Sequence, residues 1–416
     1  MFLSSGRRRS PAAPNSTAIW VPMPPTGSPR LGRDMDRQVH ALLLPPGPRL
    51  QEALAAALDG SGPAICPLSP QLPRPALQTL LRALAPSAVH TDEGVRPHPA
   101  GRPTDARTAV IIATSGSTGA PKLVELSAEA LRHSAAASLE RIGAAADDRW
   151  LCCLPTHHIA GIQVLVRSLI AGTTPLITPR FDIDAVAAAP VQHLSLVPTQ
   201  LRRLLDAGVD LARFGAILLG GAAASPALLQ QARSRGARIH TTYGMSETSG
   251  GCVYDGLPLD GVRVDIDADG RILLAGPVLF SGYRLNPQAT AQARDGQWLR
   301  TPDLGAFDGG RLRVLGRMDD VINTGGEKVL ATEVAAVLAR HPRVKDVVVV
   351  GRPDAEWGER VTAVVVPAGD PPTLRELRDL VRRSLPAHAA PRELELRTAI
   401  PLLPSGKPDR QALRKP

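Results

Sequence analysis

The sequence predicts an α/β fold with a large N-terminal domain of mainly parallel sheets and flanking helices, a small β subdomain, and a small α+β C-terminal domain. Three observations support this prediction. Apolar strand patterns alternate with helical patterns between residues 105 and 245. Strand pairs with Asp-Gly turns then follow in VRVDIDADGRILLAG and AFDGGRLRVLG. Beyond residue 317, two apolar strand patterns lie between helical patterns.

The chain of 416 residues is long for one domain, so two are expected. We place the boundary near Gly316–Asp319, which predicts an N-terminal domain of residues 35–316 and a C-terminal domain of residues 317–416. Residues 1–34 are rich in Arg, Pro and Ser and lack periodicity. They are predicted to be disordered or, if translation starts at Met35, to be absent from the protein.

The predicted elements follow from apolar periodicity and from turn residues. The predicted helices are Leu50–Leu58, Ser127–Arg141 with Ser127 as N-cap, Ile162–Ile170, Ile183–Ala188, Pro226–Gly236, Thr332–Arg340 and Leu374–Ser384. The predicted strands include Trp150–Leu154, Pro175–Thr178, Val347–Val350 and Val361–Val366. Ligands gather at the carboxyl ends of parallel strands, so we expect the loops TSGSTGAPK, PTHHIAG, GGAAAS and YGMSET at one sheet edge.

Charge and composition exclude several classes of function. The formal net charge is +9, but residues 1–34 contribute +4 (five Arg, one Asp) and residues 371–416 contribute +5 (ten basic, five acidic residues), so the middle of the chain is balanced. Aromatic residues make up 3%, too few for a base-stacking surface, and nucleic acid is not expected as a partner. No apolar run is long enough to span a membrane.

The four cysteines form no CxxC pair, which predicts a reduced, cytoplasmic protein. Cys152 and Cys153 lie in the apolar run WLCCLP and are predicted to be buried thiols. The pair His157–His158 lacks a third ligand at suitable spacing, so zinc is not expected.

The stretch AVIIATSGSTGAPKLVELS contains the strongest local signal. A buried strand pattern, Val110–Ile112, ends in a loop of Gly, Ser and Thr residues that Lys122 closes. Hydroxyl groups and free backbone N–H groups suit a polyphosphate, although the spacing is not that of a Walker A loop. A plain flexible Ser/Gly linker is the alternative reading of this loop.

Lysines are scarce, since 43 of the 48 basic residues are arginines. Three of the five lysines (Lys122, Lys328 and Lys407) lie in glycine-containing loops. A compact ammonium cannot be replaced by a guanidinium at a tight anion site, so these lysines are candidates for chemistry.

The ordered series TSGSTGAPK, LPTHHIAG, GGAAAS, YGMSE, TPD, GRMDD and PSGK resembles the adenylate-forming acyl/aryl-CoA synthetase superfamily over residues 105–412. The stretches LPTHHIAGIQVLVRSL and LSLVPTQLRRLL further resemble its family of o-succinylbenzoate–CoA ligases. The resemblance implies a two-step reaction. A carboxylate attacks ATP to give an acyl-adenylate, the C-terminal domain rotates, and coenzyme A then displaces AMP.

The resemblance also implies a role for each site residue. Glu247 would bind Mg²⁺, Lys407 would stabilise charge in the adenylation step, and His158 would close the pocket between the acyl and CoA sides. The polyphosphate ligands would be Thr114, Ser115, Gly116, Ser117, Thr118, Gly119 and Lys122. The adenylate ligands would be Gly220, Gly221, Ala222, Tyr243, Gly244, Ser246, Asp303 and Arg317. Asp319 would be the hinge, and the loop Thr324–Lys328 would face the thioester-forming site.

The sequence says least about which carboxylic acid is the substrate. A second carboxylate on the acid would need a cation, and Arg167 on the helix after PTHHIAG is a candidate, with a solvated helix arginine as the alternative. The other functions considered are a different acyl- or aryl-CoA ligase, an enzyme that loads a separate carrier protein, and a non-catalytic nucleotide-binding protein.

Overall fold

The structure is a computed structural model that describes residues 36–99, 101–114, 121–402 and 408–415. Helices and strands alternate over most of the larger N-terminal part, and a smaller α+β part follows. The predicted α/β class is confirmed. No helix in these ranges is long and apolar enough to cross a bilayer.

The first fifteen strands lie before residue 260. They are β1 (Asp36–Arg37), β2 (Val39–Leu42), β3 (Ala64–Pro67), β4 (Ala88–Thr91), β5 (Gly94–Pro97), β6 (Thr104–Asp105), β7 (Thr108–Thr114), β8 (Lys122–Ser127), β9 (Trp150–Cys152), β10 (Leu176–Ile177), β11 (His193–Leu196), β12 (Ala216–Leu219), β13 (Ile239–Met245), β14 (Gly250–Tyr254) and β15 (Leu257–Pro258).

The later strands build the β subdomain and the C-terminal part. They are β16 (Arg263–Ile266), β17 (Arg271–Ala275), β18 (Gly282–Tyr283), β19 (Arg294–Asp295), β20 (Trp298–Asp308), β21 (Arg311–Arg317), β22 (Val321–Thr324), β23 (Glu327–Leu330), β24 (Val344–Asp354), β25 (Gly358–Pro367) and β26 (Glu393–Leu396).

The helices cover the faces of the sheets. They are α1 (Pro48–Asp59), α2 (Arg74–Leu84), α3 (Ala128–Ile142), α4 (Ile159–Ile170), α5 (Ile183–Ala188), α6 (Pro198–Asp206), α7 (Pro226–Ser234), α8 (Pro287–Ala293), α9 (Ala331–Leu338), α10 (Leu374–Arg382) and α11 (Arg410–Arg414). Every predicted helix is confirmed to within about three residues at each end. The predicted N-cap is also confirmed, because the Ser127 hydroxyl accepts a hydrogen bond from the Ala130 N–H at 3.0 Å.

Two seven-stranded sheets form the N-terminal part. One has the order β18-β8-β7-β3-β2-β4-β5 and the other β10-β9-β11-β12-β13-β14-β15. The inner strands of each sheet are parallel, and antiparallel strands extend the edges. The main core contains residues of both sheets together with α3 and α4, and includes Trp150, Ile112, Leu131 and Phe280. This shared core holds the two sheets together.

The predicted hairpins of the β subdomain are confirmed. β16 pairs with β17, and β20 pairs with β21, both antiparallel. Gly309 and Gly310 connect the second pair with φ values of 55° and 76°, the left-handed conformation that a two-residue hairpin turn of this type requires.

The C-terminal part has its own five-stranded sheet and its own core. The sheet contains β23-β22-β25-β24 with β26 beside β25. Helices α9 and α10 pack on this sheet through buried side chains such as Val334, Leu338 and Leu377. The predicted boundaries at residues 34/35 and 316/317 stay predictions.

All four cysteines are buried free thiols, which confirms the predicted burial of Cys152 and Cys153. Burial raises the pKa of Cys66, Cys152, Cys153 and Cys252 to about 12 in each case. These thiols are therefore protonated at neutral pH and contribute to packing rather than to nucleophilic chemistry.

Candidate active site

Three of the predicted loops follow strands of a single sheet. The loop with His157 and His158 comes after β9, Gly220 follows β12, and Ser246 follows β13. These three strands belong to one parallel set, so their carboxyl ends meet at the same edge, as predicted.

The expectation that the phosphate loop shares this edge is wrong. The strand before it, β7, belongs to the other seven-stranded sheet. The chain returns after the loop as the antiparallel strand β8, with Thr114 opposite Lys122, so the loop closes a hairpin. The sequence did not reveal that β7 lies in the other sheet, because an alternation of strands and helices does not indicate which strands pair in one sheet.

The phosphate-loop lysine and the predicted magnesium ligand meet across these two sheets at Tyr283. The Tyr283 hydroxyl donates a hydrogen bond of 2.8 Å to Glu247 Oε1. The Lys122 ammonium lies 5.2 Å from the centroid of the same ring. Burial, and then the nearby Glu247 carboxylate, raise the pKa of Tyr283, so the phenol keeps its proton at neutral pH.

Glu247 projects from a short turn that many hydrogen bonds hold in place. The Thr248 hydroxyl accepts from the Met245 N–H at 2.9 Å, and it also lies 2.7 Å from the Gly250 carbonyl. The Gln163 amide of α4 donates to the Ser249 carbonyl at 2.6 Å. The turn therefore presents Glu247 from a fixed backbone.

Tyr243, Asp303 and Arg317 are far apart in sequence but adjacent in the structure. The Tyr243 hydroxyl donates to Asp303 Oδ2 at 2.8 Å. Arg317 is the cross-strand partner of Asp303, and its Nε lies 3.9 Å from Asp303 Oδ1. Burial, followed by the charge of Asp303, raises the pKa of Tyr243. The predicted ribose-binding pair and the predicted adenine-stacking ring thus form one connected group.

A cavity of about 250 Å³ lies beside this group. Its lining includes Ala222, Tyr243 and Val314. The adjacent Gly220 is closely packed, because a Cβ there would come within 2.3 Å of Thr242 Oγ1, and Gly221 has a φ of 79°. Of the small residues predicted for close approach of an adenylate, Ala222 therefore lines the cavity, and Gly220 and Gly221 precede it in the chain.

The predicted residues Gly244 and Ser246 lie on the segment that leads to Glu247. Gly244 is exposed and has no room for a side chain, since a Cβ would lie 2.0 Å from the Gly250 carbonyl oxygen. The pairing of β13 with β14 is irregular between Tyr243 and Gly244, and such bulges re-aim neighbouring side chains. Ser246 begins the turn, and its carbonyl accepts from the Ser249 N–H at 3.1 Å.

His158 is the N-cap residue immediately before α4, in the loop that follows β9. Its ring centroid lies 4.4 Å from that of His157. Burial lowers the pKa of His157, so this ring is neutral at neutral pH. No group of three or more potential metal-binding His, Cys, Asp or Glu side chains occurs among the described residues.

Arg167 is not a solvated helix residue, so that alternative is wrong. It is 5% exposed, and its guanidinium donates to Ser138 Oγ at 3.1 Å and to Ser195 Oγ at 3.2 Å. The same group lies 4.3 Å from the centroid of the Trp150 ring. These contacts place Arg167 between α4 and the sheet. Its predicted role toward a substrate stays a prediction.

The predicted hinge lies between β21 and β22. The Asp319 carboxylate is 57% exposed and accepts from Arg317 Nη2 at 3.2 Å, so few contacts restrain this side chain. The loop Thr324–Lys328 is the turn of a hairpin, with Gly325 and Gly326 at φ values of 61° and 84°.

Some predicted site residues lie outside the described ranges. They are Ser115, Gly116, Ser117, Thr118, Gly119 and Lys407. Of the phosphate-loop residues, the structure describes Thr114, whose hydroxyl donates to the Lys122 carbonyl at 3.3 Å, and Lys122 itself.

Sequence reasoning missed Tyr283 and Gln163, which contact the segment that carries Glu247. The signal for Tyr283 was its rarity, since the chain has only three tyrosines. Gln163 gave no signal, because a single polar residue on an apolar helix is usually read as a solvated position.

Two family models and several known proteins match this chain. The AMP-binding enzyme family matches residues 88–284, and the AMP-binding enzyme C-terminal domain matches residues 333–407. A protein of Mycobacterium tuberculosis named "Probable 2-succinylbenzoate--CoA ligase" is 42% identical over 391 residues, which cover 90% of this chain and 94% of that protein. The 2-succinylbenzoate–CoA ligase of a Listeria monocytogenes strain is 33% identical, over 74% of this chain and 70% of its own length.

A solved structure is similar over nearly the whole chain. The o-succinylbenzoate CoA synthetase of Bacillus subtilis, in complex with its acyl-adenylate intermediate, superimposes with a TM-score of 0.80 at 28% identity. The match covers 91% of this chain and 88% of that one.

Proposed function

The chain belongs to the AMP-binding enzyme family, and on this premise we propose that it is an AMP-forming acid–thiol ligase that joins 2-succinylbenzoate to coenzyme A in menaquinone biosynthesis. The observation that carries this proposal is the 42% identity to the mycobacterial relative across 94% of that protein. Tyr243, which lines a cavity and donates a hydrogen bond to Asp303, together with the nearby carboxylate of Glu247, supports nucleotide chemistry.

The reaction has two steps that share one site. In the first, a carboxylate oxygen of 2-succinylbenzoate attacks the α-phosphorus of ATP and pyrophosphate leaves. In the second, the CoA thiol attacks the acyl carbon of the adenylate and AMP leaves. Both steps depend on positioning and on the neutralisation of phosphate charge.

Lys122, Thr114 and the loop residues 115–119 would bind the β- and γ-phosphates. The Lys122 ammonium has no carboxylate within ion-pair distance in the described part of the chain. Its charge is therefore available to a phosphate. The loop holds the leaving group, and Lys407 would stabilise charge at the attacked phosphate.

Glu247 fits a role as a ligand of Mg²⁺. It is a partly buried carboxylate without an arginine or lysine ion-pair partner among the residues described, and only one of its oxygens accepts a hydrogen bond. A hard cation prefers such an oxygen and takes its other ligands from phosphates and water. When bound, Mg²⁺ would neutralise phosphate charge.

Tyr243 and the segment Gly220–Ala222 would hold the adenine, while Asp303 and Arg317 would bind the ribose hydroxyl groups. Asp303 accepts a hydrogen bond from Tyr243, and Arg317 lies on the facing strand. His158 would separate the acyl and CoA sides of the pocket. Arg167 is the candidate for binding the second carboxylate, but its guanidinium already donates to two hydroxyl groups, and these contacts favour a structural role.

The second step would use a rotation of residues 317–416 about Asp319. The hinge residue is exposed, and a few residues of this kind can absorb a large backbone change. The hairpin turn Thr324–Lys328 would then face the CoA thiol. All substrates are small and water-soluble, which suits an enzyme of the cytoplasm.

The test is a pyrophosphate-release assay with the purified protein across a panel of carboxylic acids, with and without CoA. We expect release and CoA-thioester formation with 2-succinylbenzoate alone. A thioester with a different acid would contradict the proposed substrate, and release without any thioester would favour loading of a carrier protein. Absence of release with every acid would favour a nucleotide-binding protein without this activity.

A further inference from the structure

Tyr283 contacts both charged groups that are proposed to act on MgATP. Its hydroxyl lies 2.8 Å from Glu247 Oε1, and its ring face lies 5.2 Å from the Lys122 ammonium. The proposed reaction assigns these two groups to the metal and to the pyrophosphate. No step of that reaction uses Tyr283 itself, so its two contacts call for an explanation.

We infer that Tyr283 is a positioning residue that orients the Glu247 carboxylate toward Mg²⁺ and supports the Lys122 ammonium, which couples the metal site to the phosphate loop. This inference rests on the proposed function, because it assumes that MgATP binds near Glu247 and Lys122.

The backbone around Tyr283 is anchored to both partners. Tyr283 pairs with Val124 in β8, two residues after Lys122. The Phe280 N–H donates to the Glu247 carbonyl at 2.8 Å, and the rings of Phe280 and Tyr283 meet edge to face at 4.9 Å. One short segment therefore fixes the tyrosine relative to the backbone of Glu247 and to the strand of Lys122.

Tyr283 is also held through its backbone and by burial. The backbone N–H of Tyr283 donates to Thr290 Oγ1 at 2.8 Å, and the residue is largely buried, at 9% exposure. A ring buried to this extent has few alternative rotamers. The hydroxyl therefore acts as a pre-organised donor.

A neutral donor suits this place better than a cation. An arginine or lysine beside Glu247 would neutralise the carboxylate and compete with Mg²⁺. The phenol orients Oε1 without adding charge, so Oε2, which has no hydrogen-bond partner among the described residues, is left for the metal. In the same way, the ring face attracts the Lys122 ammonium without supplying an anion, and the charge stays available for phosphate.

The decisive variant is Tyr283→Phe, which keeps the ring and removes the hydroxyl. We expect the Mg²⁺ concentration that gives half-maximal stabilisation by ATP, measured by thermal shift without the acid, to rise about tenfold or more, because one hydrogen bond to a charged group is lost. ATP binding in the presence of EDTA is expected to be unchanged, because Lys122 keeps its aromatic neighbour. An unchanged Mg²⁺ requirement would overturn the inference.

Tyr254→Phe is the matched control. Tyr254 is also buried, at 2% exposure, and its hydroxyl lies 2.8 Å from Ser138 Oγ. It contacts neither Glu247 nor Lys122. We expect the same Mg²⁺ requirement as in the wild type, and a rise equal to that of Tyr283→Phe would assign both effects to general loss of packing and overturn the inference.

A double-mutant cycle with Glu247→Gln tests whether Tyr283 acts through the carboxylate. We expect Tyr283→Phe to have little further effect on the Mg²⁺ requirement in the Glu247→Gln background, since the two changes remove the same interaction. Fully additive effects would show that Tyr283 acts elsewhere. This comparison stays informative even if one variant is less stable, because both arms contain the same substitution.

The outcomes separate this inference from the proposed function. A wild-type protein that binds MgATP but does not convert 2-succinylbenzoate would contradict the proposed substrate, and the tyrosine variants would still decide the role of Tyr283. A wild-type protein whose ATP binding does not depend on Mg²⁺ would contradict the inference directly.

Discussion

Tyr283 and Arg284 are neighbours in the chain, yet their side chains contact two very different groups of residues. Arg284 is 4% exposed and pairs with Glu125 at 3.3 Å. Its guanidinium also donates to backbone carbonyls, including that of Leu84 at 2.6 Å. Arg284 and Glu125 are therefore each other's counterion. Through its hydrogen bonds, the Arg284 side chain also joins β8 to the chain near residues 84 and 102.

The charged groups beside Tyr283 lack such counterions among the described residues. Glu247 and Lys122 are both charged, and each is held by a neutral aromatic side chain instead of by an opposite charge. A buried charge with a complete set of partners stabilises one structure, whereas a charge left without a counterion is available to a ligand. In this protein, the presence or absence of a counterion, and not the residue type, therefore distinguishes charges with a structural role from charges proposed to bind a ligand.

Arg167 is the intermediate case. It is buried like Arg284, but its guanidinium contacts the hydroxyl groups of Ser138, Ser195 and Tyr254 and the ring of Trp150, and it has no carboxylate partner among the described residues. Burial lowers the pKa of Arg167, which measures the cost of holding this charge away from water.

The largest effect is expected from Lys407, the lysine that the sequence assigns to the adenylation step. Lys407→Ala should lower the rate of adenylate formation by about 10³-fold or more, because a cation that stabilises the transition-state charge is lost. Thioester formation from the preformed adenylate should be largely spared. Rapid-quench measurement of the two half-reactions checks this, and equal loss in both would contradict the mechanism with two domain orientations.

The next largest effect is expected from breaking the ion pair between Arg284 and Glu125. Arg284→Met leaves the Glu125 carboxylate without its cation, and we expect the free energy of unfolding to fall by about 3–5 kcal/mol. Denaturant titration measures this change. Arg313→Met is the control, because Arg313 pairs with Asp308 at an exposed site (63% and 69% exposed), and there we expect a change of about 0–1 kcal/mol.

Glu247→Gln tests the carboxylate that contacts Tyr283 and has no counterion among the described residues. The substitution removes the charge while keeping the shape, and adenylate formation should fall about 10²-fold because the proposed metal ligand is weakened. The free energy of unfolding should be almost unchanged, since Glu247 has no ion-pair partner to leave unpaired among the described residues. A loss of stability as large as that of Arg284→Met would erase the distinction between the two sides.

The smallest effect on catalysis is expected from Arg167→Met. The contacts of Arg167 predict a structural role, so the KM for 2-succinylbenzoate should change less than about threefold, while the free energy of unfolding falls by about 1–3 kcal/mol as two buried hydroxyl groups lose a donor. Steady-state kinetics and denaturation check the two quantities. A tenfold rise of this KM with an unchanged KM for ATP would assign Arg167 to the substrate.

The sequence alone predicted the local elements and assigned a chemistry to the loops. Apolar periodicity predicts α3 and α5, Asp-Gly turns predict the two hairpins of the β subdomain, and the structure confirms these elements. These features depend on residues close in sequence, such as the cap at Ser127, so a single chain segment contains the information. The order of the seven loops was enough to identify the family, since the reaction needs those residue types in a fixed set.

Only the tertiary structure decided which distant residues meet. It separates β7 from the sheet that carries the other predicted loops, and it brings Tyr283 between Glu247 and Lys122. It also shows that Arg167 is buried, which excludes the alternative of a solvated helix arginine. The physical reason is that burial and charge pairing depend on contacts across many residues of chain, such as the 159 residues between Glu125 and Arg284, and no local pattern specifies them.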